Sequence, residues 1–303
     1  MKYTITGSLG HISRPIVTAL VKAGHEVTVI TSSKDRAKEI ESLGAKAAVG
    51  SVEDVDFLTK AFSGADVVYT MVPPNFNATD WKGYIGQVGK NYAEAIKANK
   101  IKRVVNLSSI GAHMAEGCGP VSGIYKAEQA LNTLTDVNIK HFRPAYFYFN
   151  LLSNINLIKN MGIMGSNFSF SDKKFTIVHP DDIAAIAIQF LLKPDFAGHS
   201  VQYIAGDEVS TDEIAATIGS AIGKPGLKWV EFTDEQALQG GIQAGLPEEI
   251  SKNYAEMGHA IKTGQMAEDY WKHRPAVSGK IKLADFAKTF AAVYNNEEVQ
   301  AVH

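Results

Sequence analysis

Two glycines near the amino terminus, Gly7 and Gly10, have the spacing that phosphate binding requires. They follow a short β-prone run at residues 3–6, and a helical pattern of apolar residues begins directly after them. In such a strand–turn–helix unit the first glycine can make the tight turn, and the second lets a diphosphate approach the backbone. The unpaired amide groups at the start of the helix then face the phosphates. The pattern predicts a dinucleotide site, although an ordinary turn with two glycines would look the same.

The loop is an incomplete match to a three-glycine fingerprint, because its third position is Ser13. That position packs the helix against the strand, and a small hydroxyl residue can fit there. We expect the loop residues themselves to bind the dinucleotide: Gly7, Ser8, Leu9, Gly10, His11 and Ile12.

The end of the second predicted strand indicates which dinucleotide is bound. Folds that prefer NAD usually place a carboxylate there to hold the ribose 2′-hydroxyl. Here the chain has Ser32 and Ser33, followed by the cations Lys34 and Arg36. Small hydroxyls and two positive charges suit a 2′-phosphate, so the sequence favours NADP over NAD. The alternative is that Lys34 and Arg36 are only the solvated face of a helix.

Composition excludes several classes of protein. Of the 303 residues, 45% are hydrophobic and 20% are charged, which is typical of a globular protein with a sizeable core. The net charge is −2 and no run of Lys or Arg occurs, so nucleic acid and membranes are not expected partners. No apolar run approaches the ~20 residues that a membrane span needs. The first strand begins at residue 2, which leaves no room for a signal peptide, and we expect a cytoplasmic protein.

The elements that must position these residues alternate strictly in the first half of the chain. Strand patterns are predicted at residues 3–6, 26–30, 45–49, 66–72, 101–107 and 138–142, with helical patterns at 12–21, 34–43, 52–62, 84–98 and 122–134. This rhythm, with near-continuous apolar strands, predicts an α/β fold with a doubly wound parallel sheet covered on both faces.

The second half of the chain is less regular. After an aromatic cluster, a helical pattern runs to about residue 160, followed by strands at 175–178, 200–204 and 227–232 and helices at 180–192, 211–222 and 247–263. We expect a dinucleotide-binding domain at residues 1–150 and a smaller mixed substrate lobe at 151–303. The boundary is soft, and some lobe elements are expected to return to the first sheet. The polar tail from Asn295 is expected to fray.

Several stretches resemble one family, the atypical short-chain dehydrogenase/reductases. Residues 6–13 are similar to its Thr-Gly-x-x-Gly-x-x-Gly fingerprint. Further matches are residues 50–54 (its Gly-Asp-x-x-Asp turn, with Ser51 for the usual aspartate), 104–109 (Val-Val-Asn-Leu-Ser-Ser), 143–144 (Arg-Pro) and 178–184 (Val-His-Pro-Asp-Asp-Ile-Ala). The subgroup that the chain most resembles, over residues 2–225, is the NmrA-like proteins.

The resemblance implies a Rossmann fold with a C-terminal substrate lobe and a dinucleotide cofactor. It also implies roles for residues beyond the glycine loop: Met71, Val72 and Pro73 border the ribose and nicotinamide, Ser108 orients the substrate and contacts the cofactor, and Pro144 and Tyr146 line the nicotinamide. Some NmrA-like members are NADPH-dependent reductases of quinones or phenolics. Others bind the dinucleotide without turnover and report its redox state to a protein partner.

The catalytic pair of most short-chain reductases, Tyr-x-x-x-Lys, is missing. That spacing stacks both side chains on one helix face, so that the tyrosine can donate a proton to a carbonyl oxygen. Tyr125 lies in the right region but has no lysine four positions on, and Lys126 points about 100° away. Tyr125 and Ser108 are the catalytic candidates, with a packing tyrosine and a polar strand end as the alternatives. The nearest match in spacing, Tyr270 with Arg274, is expected at the surface.

Other chemistries find little support. The nine histidines show no ligand spacing, so no metal site is predicted, and no Gly-x-Ser-x-Gly elbow occurs. The single cysteine, Cys118, lies between glycines and could be an exposed thiol. A quinone accepts hydride readily and can take its proton from water. The sequence therefore favours an NADP(H)-dependent reductase of a quinone-like or conjugated carbonyl substrate. The alternative is a non-catalytic NADP(H) redox sensor that acts through a regulatory protein partner.

Overall fold

Seven parallel strands form the central sheet of the structure, a computed structural model that describes residues 1–277 and 279–296. The strands of all the sheets in the described residues are, in chain order, β1 (Lys2–Ile5), β2 (Glu26–Thr31), β3 (Lys46–Val49), β4 (Val67–Thr70), β5 (Arg103–Leu107), β6 (Asn138–Pro144), β7 (Tyr146–Phe147), β8 (Met164–Ser166), β9 (Phe175–Val178), β10 (His199–Ile204), β11 (Asp207–Val209) and β12 (Trp229–Glu231). The central sheet has the order β10-β6-β5-β4-β1-β2-β3. The chain moves outward from β1 to β3 and then crosses back to β4, which confirms the predicted doubly wound fold.

Helices cover both faces of this sheet. In chain order they are α1 (Ser13–Lys22), α2 (Lys34–Ser42), α3 (Val55–Ala61), α4 (Trp81–Ala98), α5 (Pro120–Asn132), α6 (Ile155–Met161), α7 (Pro180–Leu192), α8 (Thr211–Ala221), α9 (Asp234–Gln243), α10 (Glu248–Lys262), α11 (Glu268–Lys272) and α12 (Leu283–Asn295). Short 3-10 helices span Tyr148–Asn154 and Gln265–Ala267. α1 and α7 pack on one face, and α3, α4 and α5 pack on the other.

Burial on both faces explains why the strands are almost wholly apolar. On one face, Ile5 and Val29 share a core with Ile16 of α1. On the other, Val68 shares a core with Val88 of α4. Each such side chain stabilises the fold by about 1.5–3 kcal/mol when it is fully buried. The sheet is therefore a rigid platform, and its carboxyl edge is where parallel sheets of this type bind ligands.

The second half of the chain contributes to the same sheet. β10 joins it beside β6, with Gln202 opposite Phe142, and α7 covers it next to α1. The remaining short strands form small sheets with the orders β11-β9-β7 and β12-β8. β10 and α7 thus belong to the main sheet although they lie beyond residue 150. The domain division at that residue stays a prediction.

Several helices and strands were not predicted from the periodic sequence patterns. β7, β8 and β11 have two or three residues, which is too short for an alternating pattern to show. α9 has no buried residue, so it carries no apolar stripe. α12 buries Leu283, Phe286, Ala287 and Phe290, whose helical spacing could have been found in the sequence.

Two helices begin a few residues before their predicted starts because of the residues at their amino-terminal ends. α4 begins at Trp81 because the Asp80 side chain accepts the amide of the residue three positions on, at 2.8 Å. α5 begins at Pro120, a residue suited to the first helical turn. Most of the tail for which fraying was expected, residues 297–303, lies outside the described residues. Within the described parts of the chain, no helix is long and apolar enough to cross a membrane.

Candidate functional site

The loop between β1 and α1 turns tightly at Gly7. Gly7 has φ 85° and Ser8 has φ 54°, both in the left-handed region. A Cβ added to Gly7 would come within 2.6 Å of the Met71 side chain, so glycine is also required for space. The Ser8 amide donates to the Ile30 carbonyl at 3.1 Å, which ties the loop to β2. The loop conformation is therefore set by local geometry on both sides.

This turn leaves backbone amides at the start of α1 without partners. Among the described residues, the amides of Leu9, His11 and Ile12 donate to no backbone or side-chain acceptor. α1 also has no side-chain N-cap. A Cβ added to Gly10 would meet only the Gly7 carbonyl, at 3.6 Å, so the space outside the loop is open. Unpaired amides at a helix start, next to open space, can bind a diphosphate.

Behind the loop, Thr6 joins the ends of β1 and β4. Its Oγ1 donates to the Met71 carbonyl at 3.0 Å and accepts the Met71 amide at 2.8 Å. The Tyr92 hydroxyl donates to the same carbonyl at 2.8 Å. Ser13, at the third fingerprint position, is buried, and its Oγ donates to the Thr6 carbonyl at 3.3 Å. These hydrogen bonds hold Met71 against the back of the glycine turn.

Val72 and Pro73 continue from Met71 along the carboxyl edge of the sheet, where both are half-buried. The Pro73 carbonyl accepts the Tyr84 hydroxyl at 3.2 Å. Burial, reinforced by the charge of Glu53, raises the pKa of Tyr84 to about 12, so this hydroxyl stays protonated. The segment borders the crevice between β1 and β4, the switch point at which doubly wound sheets bind nucleotides.

Thr31, the last residue of β2, joins the glycine loop to the start of α2. Its Oγ1 accepts the Ser8 hydroxyl at 3.0 Å and the Ser33 amide at 3.2 Å. The Ser33 Oγ in turn accepts the Arg36 amide at 3.4 Å and caps α2. The hydroxyls predicted near the ribose therefore also shape the backbone.

Three predicted ribose-phosphate residues, Ser32, Lys34 and Arg36, are exposed beside this cap. Within residues 1–277 and 279–296, neither Lys34 nor Arg36 forms a salt bridge, whereas the neighbouring cation Arg14 pairs with Glu39. The end of β2 presents hydroxyl groups in place of a carboxylate. Two uncommitted cations there can meet a 2′-phosphate.

At the end of β5, the Ser108 hydroxyl donates a hydrogen bond to Oε1 of Glu128 on α5. Glu128 is only 1% exposed and Ser108 only 5% exposed. Arg143 also binds the Glu128 carboxylate. Its Nε donates to Oε1 at 3.0 Å, and its Nη2 donates to Oε2 at 2.6 Å. A carboxylate held by two nitrogens of one guanidinium is an ion pair. Glu128 was not indicated by the sequence, since a helical glutamate is usually exposed.

Arg143 also joins this edge of the sheet to the second half of the chain. Its Nη1 donates to the Tyr203 hydroxyl at 3.2 Å and to Asp269 of α11 at 3.3 Å. Its Nη2 donates to the Ala112 carbonyl at 3.1 Å. Burial alone would lower the pKa of Arg143, but its hydrogen bonds and the charge of Glu128 raise it above the ordinary value. The guanidinium is therefore permanently charged.

Tyr125 lies three positions before Glu128 on α5 and is half-buried. Its side chain lines a surface groove between α4 and α5, together with Lys90. One turn before Glu128, on the face that points toward Ser108, the residue is Ile124, which packs against the apolar core. The role of Tyr125 as a proton donor stays a prediction.

Aromatic rings connect the glycine loop to the C-terminal helix. The ring of His11 meets that of Phe149 edge-on, at 4.7 Å between centroids. Phe149 also meets His179 at 5.1 Å and Phe286 of α12 at 5.9 Å. The His179 ring is fixed, because its Nδ1 accepts the Asp181 amide at 3.2 Å, and burial lowers its pKa. Phe149, His179 and Phe286 were not predicted as site residues, although His179 lies in a motif of the resembled family.

Pro144 ends β6 and Tyr146 begins β7, at the same edge of the sheet. The Pro144 carbonyl accepts the Ile110 amide at 2.9 Å. The Tyr146 ring packs against Phe175 at 5.1 Å and Phe168 at 6.1 Å between centroids. Burial raises the pKa of Tyr146 well above its ordinary value, so its hydroxyl stays protonated. Tyr146 therefore lies where the sheet meets the short strands of the second half.

Cys118 and Tyr270 do not lie where the sequence predicted them. Cys118 is fully buried, and burial, followed by the charge of Glu256, raises the pKa of its thiol to about 12, so the expectation of an exposed thiol is wrong. Tyr270 is buried and not at the surface; its hydroxyl donates to Glu208 at 2.7 Å, and Arg274 pairs with the same carboxylate. In the described part of the chain, no group of three or more His, Cys, Asp or Glu could hold a metal ion.

Comparison with known proteins places the chain among its relatives. The sequence profile of the NmrA-like family matches residues 1–281. Over 293 residues the chain is 25% identical to an NAD(P)H azoreductase of Xenophilus azovorans, a match that covers 96% of this chain and 98% of the azoreductase. Its structure resembles that of an NADPH-dependent quinone oxidoreductase of Escherichia coli, complexed with NADPH, with a TM-score of 0.80, 18% identity and coverage of 95% and 99%.

A triphenylmethane reductase of Citrobacter sp., complexed with NADP(H), is similar as well, with a TM-score of 0.79, 18% identity and coverage of 95% and 99%. At these identities the solved structures confirm the fold, a Rossmann-type parallel sheet that continues into a second, mixed half. Because the family profile spans nearly the whole sequence, this chain belongs to the NmrA-like family.

Proposed function

We propose that this chain is an NADP(H)-dependent reductase of a quinone-like or conjugated carbonyl acceptor. The observation that carries the cofactor assignment is the set of amides at Leu9, His11 and Ile12, which have no acceptor among the described residues and lie next to Gly10, whose outer side is open. Its relatives support the reaction class, since they include an NAD(P)H azoreductase and reductases of quinones and triphenylmethane dyes. The cytoplasmic location stays a prediction.

The residues of the chain fit a phosphorylated dinucleotide along its whole length. The glycine loop would bind the diphosphate through its backbone amides. The exposed cations Lys34 and Arg36 would bind a 2′-phosphate, which NADP carries and NAD lacks. The segment from Met71 to Pro73, together with Pro144, would border the ribose and the nicotinamide at the carboxyl edge of the sheet.

The groups around Ser108 indicate which kind of hydride acceptor this site can reduce. When bound, reduced nicotinamide supplies a hydride. The hydrogen of the Ser108 hydroxyl is donated to Glu128, and Ile124 lies one turn away on the same face of α5. An ordinary ketone, whose reduction needs a strong general acid, is therefore a poor substrate. A quinone accepts hydride readily and can take its proton from water, so orientation over the nicotinamide suffices.

A second function, a non-catalytic NADP(H) sensor, is favoured by the aromatic contacts of the glycine loop. His11 of that loop meets Phe149, and Phe149 meets Phe286 of the C-terminal helix. These contacts give a bound nucleotide a physical connection to the surface of α12, where a regulatory protein could respond. A sensor would also need the oxidised and reduced nucleotides to have unequal affinities for two conformations.

The test follows NADPH absorbance with a panel of quinones, an ordinary ketone and a conjugated carbonyl compound. Wild type is compared with Gly10→Val, which fills the open space outside the loop, and with Tyr125→Phe as a control on the outer groove. We expect quinone reduction by wild type and by Tyr125→Phe, none by Gly10→Val, and little reaction with the ketone. Retained activity in Gly10→Val would place the cofactor elsewhere. A flat trace for all acceptors, with NADPH shown to bind, favours the sensor.

A further inference from the structure

We propose that the Ser108 hydroxyl accepts a hydrogen bond from the substrate. The site would then select substrates that carry an N–H or O–H group beside the atom to be reduced. Aminoquinones and hydroxyquinones belong to this class. The inference rests on the proposed function, because it assigns a substrate class to the same cleft.

The direction of the hydrogen bond between Ser108 and Glu128 is fixed by charge. Arg143 holds both oxygens of the Glu128 carboxylate, at 3.0 and 2.6 Å, in a site from which water is almost excluded. An ionised carboxylate accepts hydrogen bonds and has no hydrogen to donate. Of the two groups, only the serine can be the donor. The single hydrogen of the Ser108 hydroxyl is therefore committed to the interior.

Rotation of this hydroxyl toward the cleft is unfavourable. It would break a hydrogen bond to a charged group, which shifts an equilibrium by about tenfold or more. The backbone of Ser108 is also held, since its amide donates to the Phe142 carbonyl at 2.7 Å. The hydroxyl therefore keeps its hydrogen on Glu128, and its lone pairs are left to accept a hydrogen bond.

Ser108 itself lies at the carboxyl edge of the sheet, where we place the substrate. Ser108 directly follows β5, which lies between β4 and β6. A carbonyl oxygen at this position would meet lone pairs and be repelled, whereas an N–H or O–H group would meet an acceptor. The serine thus orients a substrate by accepting a hydrogen bond and not by donating one.

The experiment measures binding in excess NADP⁺, so that no hydride is available and no turnover is needed. One probe is menadione, which carries a methyl group on its quinone ring. The other is the analogue with an amino group in place of the methyl group, which is similar in size but donates hydrogen bonds. Ser108→Ala removes the acceptor. Ser109→Ala is the matched control, because the Ser109 hydroxyl donates to the Ile110 carbonyl at 2.9 Å and not to Glu128.

We expect wild type and Ser109→Ala to bind the amino probe about three- to tenfold more tightly than menadione, and Ser108→Ala to bind the two probes equally. Circular dichroism and thermal melting show whether each variant folds. Ser108→Cys, whose sulfur is a weak acceptor, replaces Ser108→Ala if the alanine variant does not fold, and it should lose most of the preference.

Equal or weaker binding of the amino probe by wild type would overturn the proposal. So would failure of both probes to bind, or a preference that persists in the Ser108 variants. The proposed function has a separate readout in NADPH oxidation. If the binding preference is present but NADPH is never oxidised, the polarity of Ser108 stands and the reductase assignment fails.

Discussion

The ring of Phe149 stands edge-on to that of His11, at an interplanar angle of 78° and a centroid distance of 4.7 Å. His11 belongs to the loop that presents the unpaired amides, and Phe149 is held from behind by Phe286 of α12. The glycine loop is therefore packed, through Phe149, against a helix that lies more than two hundred residues further along the chain.

Phe149→Leu should weaken the binding of NADP⁺ by about two- to tenfold, because an edge-to-face aromatic pair contributes about 0.5–1.5 kcal/mol. Isothermal calorimetry measures this change. The matched control is Phe196→Leu, which removes a ring that packs against Phe190 near the other end of α7. A similar loss of affinity in both variants would mean that the effect is general destabilisation.

The cations beside the α2 cap should select NADPH over NADH. We expect NADPH to bind more tightly at low salt, and added salt to reduce the difference because exposed charges are screened. Arg36→Ala should lose most of the preference. The control is Lys38→Ala, because Lys38 lies two residues further along the same helix and on another face. This variant should keep the preference for NADPH. Equal affinities of wild type for the two nucleotides at low salt would remove the 2′-phosphate assignment.

Two left-handed glycines permit a controlled test of the turn. Gly24 has φ 80° and nothing within 4 Å of an added Cβ, whereas a Cβ on Gly7 would lie 2.6 Å from the Met71 side chain. Gly24→Ala should lower the free energy of unfolding by about 1–2 kcal/mol through backbone strain alone. Gly7→Ala should lower it by more and should also abolish nucleotide binding. If urea unfolding gives the two variants the same stability, the contact with Met71 does not constrain the turn.

His141 makes the fold sensitive to acid. It is buried in β6, where Asn106 Nδ2 donates to its Nδ1 at 3.0 Å and its Nε2 donates to Asn132 Oδ1 at 3.1 Å. Burial lowers the pKa of His141 to about 4; the charge of Glu128 opposes this, and that of Arg143 reinforces it. The folded protein thus holds this imidazole neutral well below the pH at which a free histidine becomes charged.

The unfolded chain binds a proton at His141 with an ordinary pKa of about 6.5, so it gains that proton first as the pH falls. The contribution of neutral His141 to the free energy of unfolding is fully present above about pH 6.5 and is lost as the pH falls toward 4. It amounts to about 3 kcal/mol in total. Urea unfolding across this range should show the loss in wild type. His141→Gln, which cannot take up a proton, should show a shallower loss. Parallel curves for the two proteins would exclude His141 as the source.

The strict alternation of strands and helices predicted the sheet, because each strand is buried on both faces and must be apolar along its length. The glycine spacing likewise predicted a turn that local backbone geometry requires. These features depend on residues close together in the chain. The capped starts of α4 and α5 were shifted by a few residues, since Asp80 and Pro120 act one by one and leave no periodic pattern.

The contacts that define the polarity of the site could not be predicted in this way. Glu128 lies twenty residues from Ser108, and nothing in its neighbours shows that Arg143 will neutralise it in the interior. The groove that Tyr125 lines depends on how α4 and α5 pack together, which no local sequence pattern shows. Phe286 meets Phe149 only after the whole chain has folded.

The place of β10 at the edge of the main sheet constrains how this protein can be synthesised. Until residues 199–204 leave the ribosome, β6 has no partner on its outer side, and its amide and carbonyl groups there are unpaired. An exposed strand edge of this kind recruits other strands and promotes aggregation. The nascent chain therefore carries a vulnerable Rossmann sheet while residues 145–204 are being synthesised, and a truncated protein that ends near residue 150 would keep that defect permanently.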